Sequence, residues 1–236
     1  MQTGEVLRRT VFNMLDAAKG GRLAKLKEVN KHEIVEGVTE EYMDRRVRML
    51  LDYAKQHSPY YKEHPEWEKL QDFPVMTKGD FIDHYDQVLV DNSQEQGNLY
   101  RLSTSGSTGT PFTVLCDGDK MNRVNMNFIS CMELNGFRMG MKRGEFRAWI
   151  KGKNTISKWK SFKNNLIMVD ISNMGDDSLE KICHDIEKKK IQVLVTYSSA
   201  LTALTQYIRR TGRDIHKWSV EMVFSMGEAL PQETYD

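Results

Sequence analysis

From Asp119 onward the sequence alternates between helical and extended patterning, and this alternation restricts the fold more than any other feature. Asp119 to Asn135 carries Met121, Val124, Phe128, Cys131 and Met132 at helical spacing, with Gly136 as terminator. Glu145 to Ile150 and Leu166 to Ile171 read as strands. Asp177 to Lys190 returns to the helical period through Leu179, Ile182, Cys183 and Ile186. Ile191 to Thr196 is a β-branched strand, Leu201 to Arg210 a helix ended by Gly212, and Val220 to Met226 a further strand. Strands alternating with helices imply an α/β fold, a largely parallel sheet with covering helices.

The part before Asp119 reads differently. Residues 5–19 carry Val6, Leu7, Val11, Met14, Leu15 and Ala18 on a helical stripe that stops at Gly20-Gly21. A second helix is predicted from Thr39 to His57, with Met43, Val47, Leu50, Leu51 and Ala54 on one face. Thr39 caps it, Val38 staples onto Met43, and Ser58-Pro59 ends it. Asp72-Phe73-Pro74-Val75-Met76 reads as extended, and Thr77 to Asp80 has the spacing of a capping box leading to Phe81, Ile82 and Tyr85. The domain reading is therefore a helical region over 1–98 and an α/β part over 99–236.

Near the start of the α/β part lies Ser103 to Phe112, S-T-S-G-S-T-G-T-P-F. Its flanks, Leu99 to Leu102 and Phe112 to Cys116, are β-rich, so the loop is predicted to be clamped by strands. Gly106 and Gly109 permit close backbone approach, and Ser105, Ser107 and Thr108 add hydroxyl donors. Such a concavity of N–H and O–H groups binds oxyanions, phosphate above all. It is not a Walker A loop: four residues do not separate Gly106 from Gly109, and no lysine follows.

Bulk properties exclude several classes. With a net charge of +1, no global field recruits nucleic acid or an anionic membrane. No stretch has the roughly 18 uninterrupted apolar residues of a membrane helix. Cys116, Cys131 and Cys183 fit neither a disulfide framework nor a zinc site and read as reduced thiols of a cytoplasmic protein. His32, His57, His64, His84, His184 and His216 form no metal spacing, so no residue is assigned to a metal. Asp176-Asp177 reads as a helix cap and Lys188 to Lys190 as a helix C-terminus. Lys158-Trp159-Lys160 and the stretch Arg138 to Arg147 are basic with aromatics nearby, but too irregularly spaced for a nucleic-acid surface.

Thr104 to Pro111 resembles the phosphate-binding signature of adenylate-forming enzymes, [ST]-[ST]-G-[ST]-[ST]-G-x-P, at every position. These are the acyl- and aryl-CoA synthetases, luciferases and peptide-synthetase adenylation domains. Three further segments resemble the phenylacetate–CoA ligase branch and its CapK-like capsular-polysaccharide relatives: Ser58-Pro59-Tyr60-Tyr61, Asp72 to Lys78, and Ser225-Met226-Gly227-Glu228-Ala229-Leu230. Their order and spacing fit over about residues 39 to 236. The resemblance implies part of the large N-terminal domain of such an enzyme. It also implies its reaction: a carboxylate attacks the α-phosphate of ATP, pyrophosphate leaves, and a thiol such as that of coenzyme A takes the acyl group. By resemblance Thr104, Ser105, Gly106, Ser107, Thr108 and Gly109 hold the phosphates, with Mg²⁺ sharing their charge, and Gly227, Glu228 and Ala229 hold adenine. Trp149, Tyr197 and Ser198 are nominated for the pocket of the small-molecule carboxylate.

Two departures stand out. Met226 replaces a commoner small residue, and Ala148 to Lys153 stands where the branch has a glycine- and aromatic-rich segment, which bears on an aryl substrate. No catalytic residue is assigned, because the lysine and the ribose-binding aspartate implied by the resemblance would lie beyond Asp236. The expectation is a truncated domain, inactive alone, from a cytoplasmic carboxylate ligase. That ligase would bind neither nucleic acid nor insert into membrane, and a homodimer is compatible with it. Two alternatives stay open: a non-catalytic or degenerate nucleotide-binding module or scaffold in polysaccharide assembly, and a ligase for a sugar- or lipid-linked acid that uses no coenzyme A.

Overall fold

The computed structural model describes residues 3–90, 99–103, 111–150 and 155–235. In chain order the helices α1 (Thr3–Ala17), α2 (Arg22–Glu36), α3 (Glu40–His57) and α4 (Pro59–Lys62) come first, then a 3₁₀ turn at Leu70–Asp72. Helices α5 (Lys78–Asp83) and α6 (Tyr85–Val88) precede strands β1 (Tyr100–Ser103) and β2 (Thr113–Cys116). Then follow α7 (Gly118–Leu134), β3 (Arg143–Arg147), α8 (Lys158–Lys163), β4 (Leu166–Asp170), α9 (Asp176–Lys188), β5 (Val193–Tyr197), α10 (Ser198–Thr211), β6 (Met222–Met226) and α11 (Gln232–Tyr235). The chain divides into two compact units, Leu26–Phe128 and Met1–Lys25 with Ile129–Asp236.

In the Leu26–Phe128 unit, Thr39 caps α3 by accepting from the Tyr42 N–H at 3.2 Å. Val38 and Met43 both stay near half exposed, so the expected staple buries little, and Leu51 is the one buried residue of α3. Ser58 ends α3, is itself 1% exposed, and donates its hydroxyl to the Gln87 carbonyl at 3.2 Å. The segments Ser58–Tyr61 and Asp72–Lys78 meet through an aromatic cluster: Tyr61 and Phe73 lie 5.7 Å apart, Trp67 and Phe73 5.3 Å, and His64 stacks on Trp67 at 3.9 Å. Thr77 and Asp80 form the predicted capping box of α5, although the helix breaks at His84 before Tyr85.

Strands β1 and β2 pair antiparallel from Tyr100 opposite Cys116 to Ser103 opposite Thr113. The Ser103 and Thr113 hydroxyls hydrogen-bond at 2.7 Å. The strand clamp read from the sequence is therefore present. The phosphate-loop residues Thr104, Ser105, Gly106, Ser107, Thr108 and Gly109 lie outside the described residues. Strand β2 also lines an apolar groove of about 560 Å³ with Phe81, Tyr85, Val88 and Leu89.

The other unit is built on a four-stranded sheet in the order β4-β3-β5-β6, parallel throughout. Its core joins the Leu179, Ile182, Cys183 and Ile186 face of α9 to Phe146, Val169 and Leu194 of the sheet and to Leu204 and Tyr207 of α10. Val193 and Val195, on the opposite face of β5, are as deeply buried, so the central strand is covered on both sides. Helix α1 is fixed to this unit by Glu5, 2% exposed, which accepts from Arg138 Nε at 2.8 Å. Gly140 allows this packing. Its φ is +100°, and a Cβ there would lie 2.4 Å from the Glu5 carbonyl oxygen.

Three elements correct the sequence reading. The strand expected over Glu145 to Ile150 runs instead over Arg143–Arg147, leaving Ala148 to Ile150 outside it. Helix α2 has no buried residue and follows the Gly20-Gly21 turn, so it left no apolar stripe to read. Its cap comes from across that turn: Asp16 accepts from the Leu23 and Ala24 N–H groups at 3.0 and 2.9 Å. Helix α8, capped by Ser157, also lacks a buried residue.

Candidate functional site

The candidate site is built at the carboxyl ends of β5 and β6, where the chain leaves a parallel sheet and open crevices form. The register sets Thr196 opposite Ser225 and Tyr197 opposite Met226. The two strands then part. Tyr197 keeps extended backbone (φ −80°, ψ 150°) and Ser198 begins α10. After Met226 the chain turns sharply through Gly227 at φ +82°. A Cβ on Gly227 would meet the Tyr197 ring at 3.0 and 3.2 Å, so glycine lets the turn lie against the ring. Gly227, Glu228 and Ala229 are all exposed.

Behind this open turn is a closed polar network. The Ser198 hydroxyl, 1% exposed, donates to the Glu228 carbonyl at 2.8 Å. A hydroxyl has one proton, so in the pair between the Ser198 and Ser225 hydroxyls Ser225 is the donor. The Glu228 carboxylate accepts from the Ser199 N–H at 2.8 Å, at the N-terminus of α10, where the helix dipole favours an anion. That N–H holds the Glu228 carboxyl below its ordinary value. One turn along α10, Thr202 donates to the Ser198 carbonyl at 3.0 Å, so Thr234 donates to Thr202 across 2.9 Å. The segment after the turn is thus tied back to the helix that starts beside it.

Four nominated residues, Tyr197, Ser198, Gly227 and Glu228, therefore meet. Ser198 is buried and structural in its contacts, while Tyr197 offers the ring beside the turn. Trp149 is placed elsewhere on the same edge of the sheet. It stands two residues past β3, its indole N–H shared between the Glu145 and Val169 carbonyls at 3.1 Å each. Its backbone N–H reaches Asp170 Oδ1 at 3.3 Å. These bonds pin Trp149 over the β3–β4 pair, and none of them reaches the turn. What the sequence left unsignalled is the supporting set: Ser199 through its backbone N–H, Ser225 inside a recognised segment, and Thr202 with Thr234, which lie 32 residues apart. The buried Cys183 thiol is no nucleophile, since burial pushes its pKa up to about 11. Among the described residues, no group of three His, Cys, Asp or Glu side chains could hold a metal ion, and no helix is long and apolar enough to cross a membrane.

This is the fold of part of an adenylate-forming enzyme domain, a parallel sheet flanked by helices with a strand-to-turn exit at its carboxyl edge. The solved structures that match include 2-hydroxyisobutyryl-CoA ligase in complex with 2-HIB-AMP and CoA in the thioesterification state, with a TM-score of 0.58, 18% identity, and 81% of this chain covered. The same ligase in the postadenylation state with R3-HIB-AMP gives 0.58, 16% and 80%. Its open conformation with 2-HIB-AMP and CoA gives 0.55, 15% and 80%. This chain spans 43–47% of the length of those ligase chains. No protein-family model matches the sequence, and no curated protein matches it either.

Proposed function

We propose that this chain forms the ATP-binding front part of a carboxylate-activating enzyme that makes an acyl-adenylate and passes the acyl group to coenzyme A. The observation that carries this reading is the Thr104–Pro111 signature strung between paired strands β1 and β2, in a chain with the fold of a CoA ligase. The Ser103–Thr113 hydroxyl pair closes the base of the loop, so that its ends are fixed before any ligand arrives. Negative charge grows on the β- and γ-phosphates as pyrophosphate leaves. The N–H and O–H donors of Ser105, Gly106, Ser107, Thr108 and Gly109, with Thr104 alongside, stabilise it there. Mg²⁺, when bound with the phosphates, supplies further positive charge. Adenine lies on the exposed Gly227–Ala229 turn, with the Tyr197 ring supporting it from below. The glycine-to-ring packing suits a flat base, and the Glu228 carboxylate, an anion tied to the Ser199 N–H, is drawn toward the start of α10.

The finer reading, with which a homodimer is compatible, is a phenylacetate–CoA ligase-like enzyme of the cytoplasm with a role in surface-polysaccharide synthesis. It rests on the segments Ser58–Tyr61, Asp72–Lys78 and Ser225–Leu230, the first two packed together through Tyr61 and Phe73. The 1–98 and 99–236 regions are proposed as the helical and nucleotide-binding parts of the large domain. The test is nucleotide binding by this chain, joined to acid-dependent ATP–pyrophosphate exchange by the protein that carries it. ATP should bind, and Thr108→Val should lower exchange by about 100-fold, the usual loss for one donor to a developing anion. Failure to bind ATP overturns the proposal. Binding without exchange for any acid selects the non-catalytic module instead, and exchange without thiol-dependent product removes coenzyme A from the reaction.

A further inference from the structure

The sequence around α8 has a composition that the adenylation chemistry does not use. From Phe146 to Val169 the sequence contains no Asp or Glu, while Arg147, Lys151, Lys153, Lys158, Lys160 and Lys163 are cationic. The chain's total of +1 conceals this local excess. Helix α8, Lys-Trp-Lys-Ser-Phe-Lys, presents most of itself to solvent: Trp159 is 72% and Phe162 65% exposed, and Lys158, Lys160 and Lys163 are exposed as well. The helical step of about 100° explains the display. It sets Trp159 beside Phe162, Lys158 and Lys163 on either flank of the pair, and Ser161 on the reverse, half-buried side. The two rings lie 6.2 Å apart and nearly parallel, at 28°. A further cation stands against them: the Arg8 guanidinium lies 5.3 Å from the Phe162 ring centroid, and its Nε donates to the Phe162 carbonyl at 3.5 Å.

Two large aromatic side chains held outward cost free energy in water, and neither belongs to the buried core of this unit. Ringed by lysines with no acidic residue nearby in sequence, they match one kind of surface. The acyl–headgroup boundary of an anionic bilayer accepts Trp and Phe at headgroup depth and attracts lysine by its potential. A nucleic-acid groove would want aromatics spaced to stack on successive bases, whereas these two rings stack on each other. We infer that α8 is a peripheral docking foot for anionic lipid surfaces, with Trp159 and Phe162 entering the interface and Lys158, Lys160 and Lys163 pairing with lipid phosphates. One six-residue helix gives weak, reversible binding, not an anchor. The inference stands independently of the ATP site.

The test is co-sedimentation of the chain with vesicles of phosphatidylcholine alone and of phosphatidylcholine with about a third phosphatidylserine, at low salt. Binding is expected to the anionic vesicles only, and to weaken as salt screens the lysines. Neutralising all three lysines (K158Q, K160Q, K163Q) should lower the partition coefficient roughly 100-fold, about fivefold per charge. The pair W159A and F162A should lower it at least about tenfold. All five residues are exposed, so circular dichroism of the variants should match the parent. Brominated lipid should quench fluorescence in the parent more than in Trp159→Phe. Equal binding to neutral vesicles, or anionic binding unchanged by either set of variants, overturns the inference. So does a lysine-dependent affinity for an oligonucleotide or an acidic peptide with none for vesicles.

Discussion

Ser198, itself 1% exposed, commits its only proton to the Glu228 carbonyl, and its lone pairs receive the proton of Ser225. Removing that hydroxyl takes this partner from the Glu228 carbonyl and the Ser225 hydroxyl, both part-buried contacts. Ser198→Ala should therefore cost about 1 kcal/mol of stability, read as a lower urea midpoint at unchanged slope. A substitution that merely trimmed an exposed serine would stay within about 0.5 kcal/mol. Tyr197, Gly227 and Glu228 were nominated through the resemblance to adenylate-forming enzymes, by the Ser225–Leu230 turn and the strand end at Tyr197. Their partners were not. Thr202 and Thr234 have no local pattern, since their pairing follows from the return of the chain over α10, a tertiary event.

Strand β3 shows why its own ends were misread. Arg143, Glu145 and Arg147 alternate along one face, and a charged alternation looks like a solvent-facing edge. In the fold, Arg143 and Glu145 are both mostly buried and their charges meet at 2.8 Å, with Arg147 at 3.5 Å from the other carboxylate oxygen. Burial pulls the Arg143 pKa down from its ordinary value. The ion pair is thus what lets this strand lie inside the sheet, and apolar counting moved the prediction to Ala148–Ile150 instead. Glu145→Ala would leave Arg143 buried beside Arg147 without its carboxylate, a loss of about 3–5 kcal/mol. Arg147→Ala, at a position 40% exposed, should cost no more than about 1 kcal/mol. Chemical denaturation of both variants checks the contrast, and equal losses would contradict it. Strand β5 and helix α9, by comparison, were legible because their buried faces are mainly apolar.

Across the whole chain, ion pairs and carboxylate hydrogen bonds hold helices to one another and to loops. Glu180 accepts from Tyr207 and faces Arg213, and Asp176 pairs with Arg210, so α9 and α10 are joined by charge as well as by their apolar core. Glu221 accepts from Gln192 and pairs with Arg138. The pKa of each of these carboxylates is lowered: Glu180 chiefly by Tyr207 and then Arg213, Asp176 by Arg210, Glu221 by Gln192 and then Arg138. Groups depressed on folding bind more protons when unfolded. Their stabilisation is complete above the ordinary carboxylate range and is lost as pH falls through the folded values below it. The urea midpoint should hold steady near neutrality and fall progressively with acid, with Glu180→Gln flattening part of the slope. A midpoint that rose on acidification would contradict the assignment. The overall α/β alternation was legible because it is periodic. The division into Leu26–Phe128 and the remainder was not, because its boundaries fall inside helices α2 and α7.

The hydroxyl chain beneath the Gly227 turn has one last consequence, for motion. Thr234 donates to Thr202, Thr202 to the Ser198 carbonyl, and Ser198 to the Glu228 carbonyl, which closes a hydrogen-bonded circuit around residues 198–202 and 228–234. A circuit of this kind opens as one cooperative event, because breaking any link frees the others to exchange with solvent. Amide hydrogen exchange at Ser199 and Thr234 should therefore report a common opening free energy, and should quicken together in Ser198→Ala although Thr234 is untouched. Any molecule lying on the outer face of the turn would then be felt as slower exchange on the far side of α10.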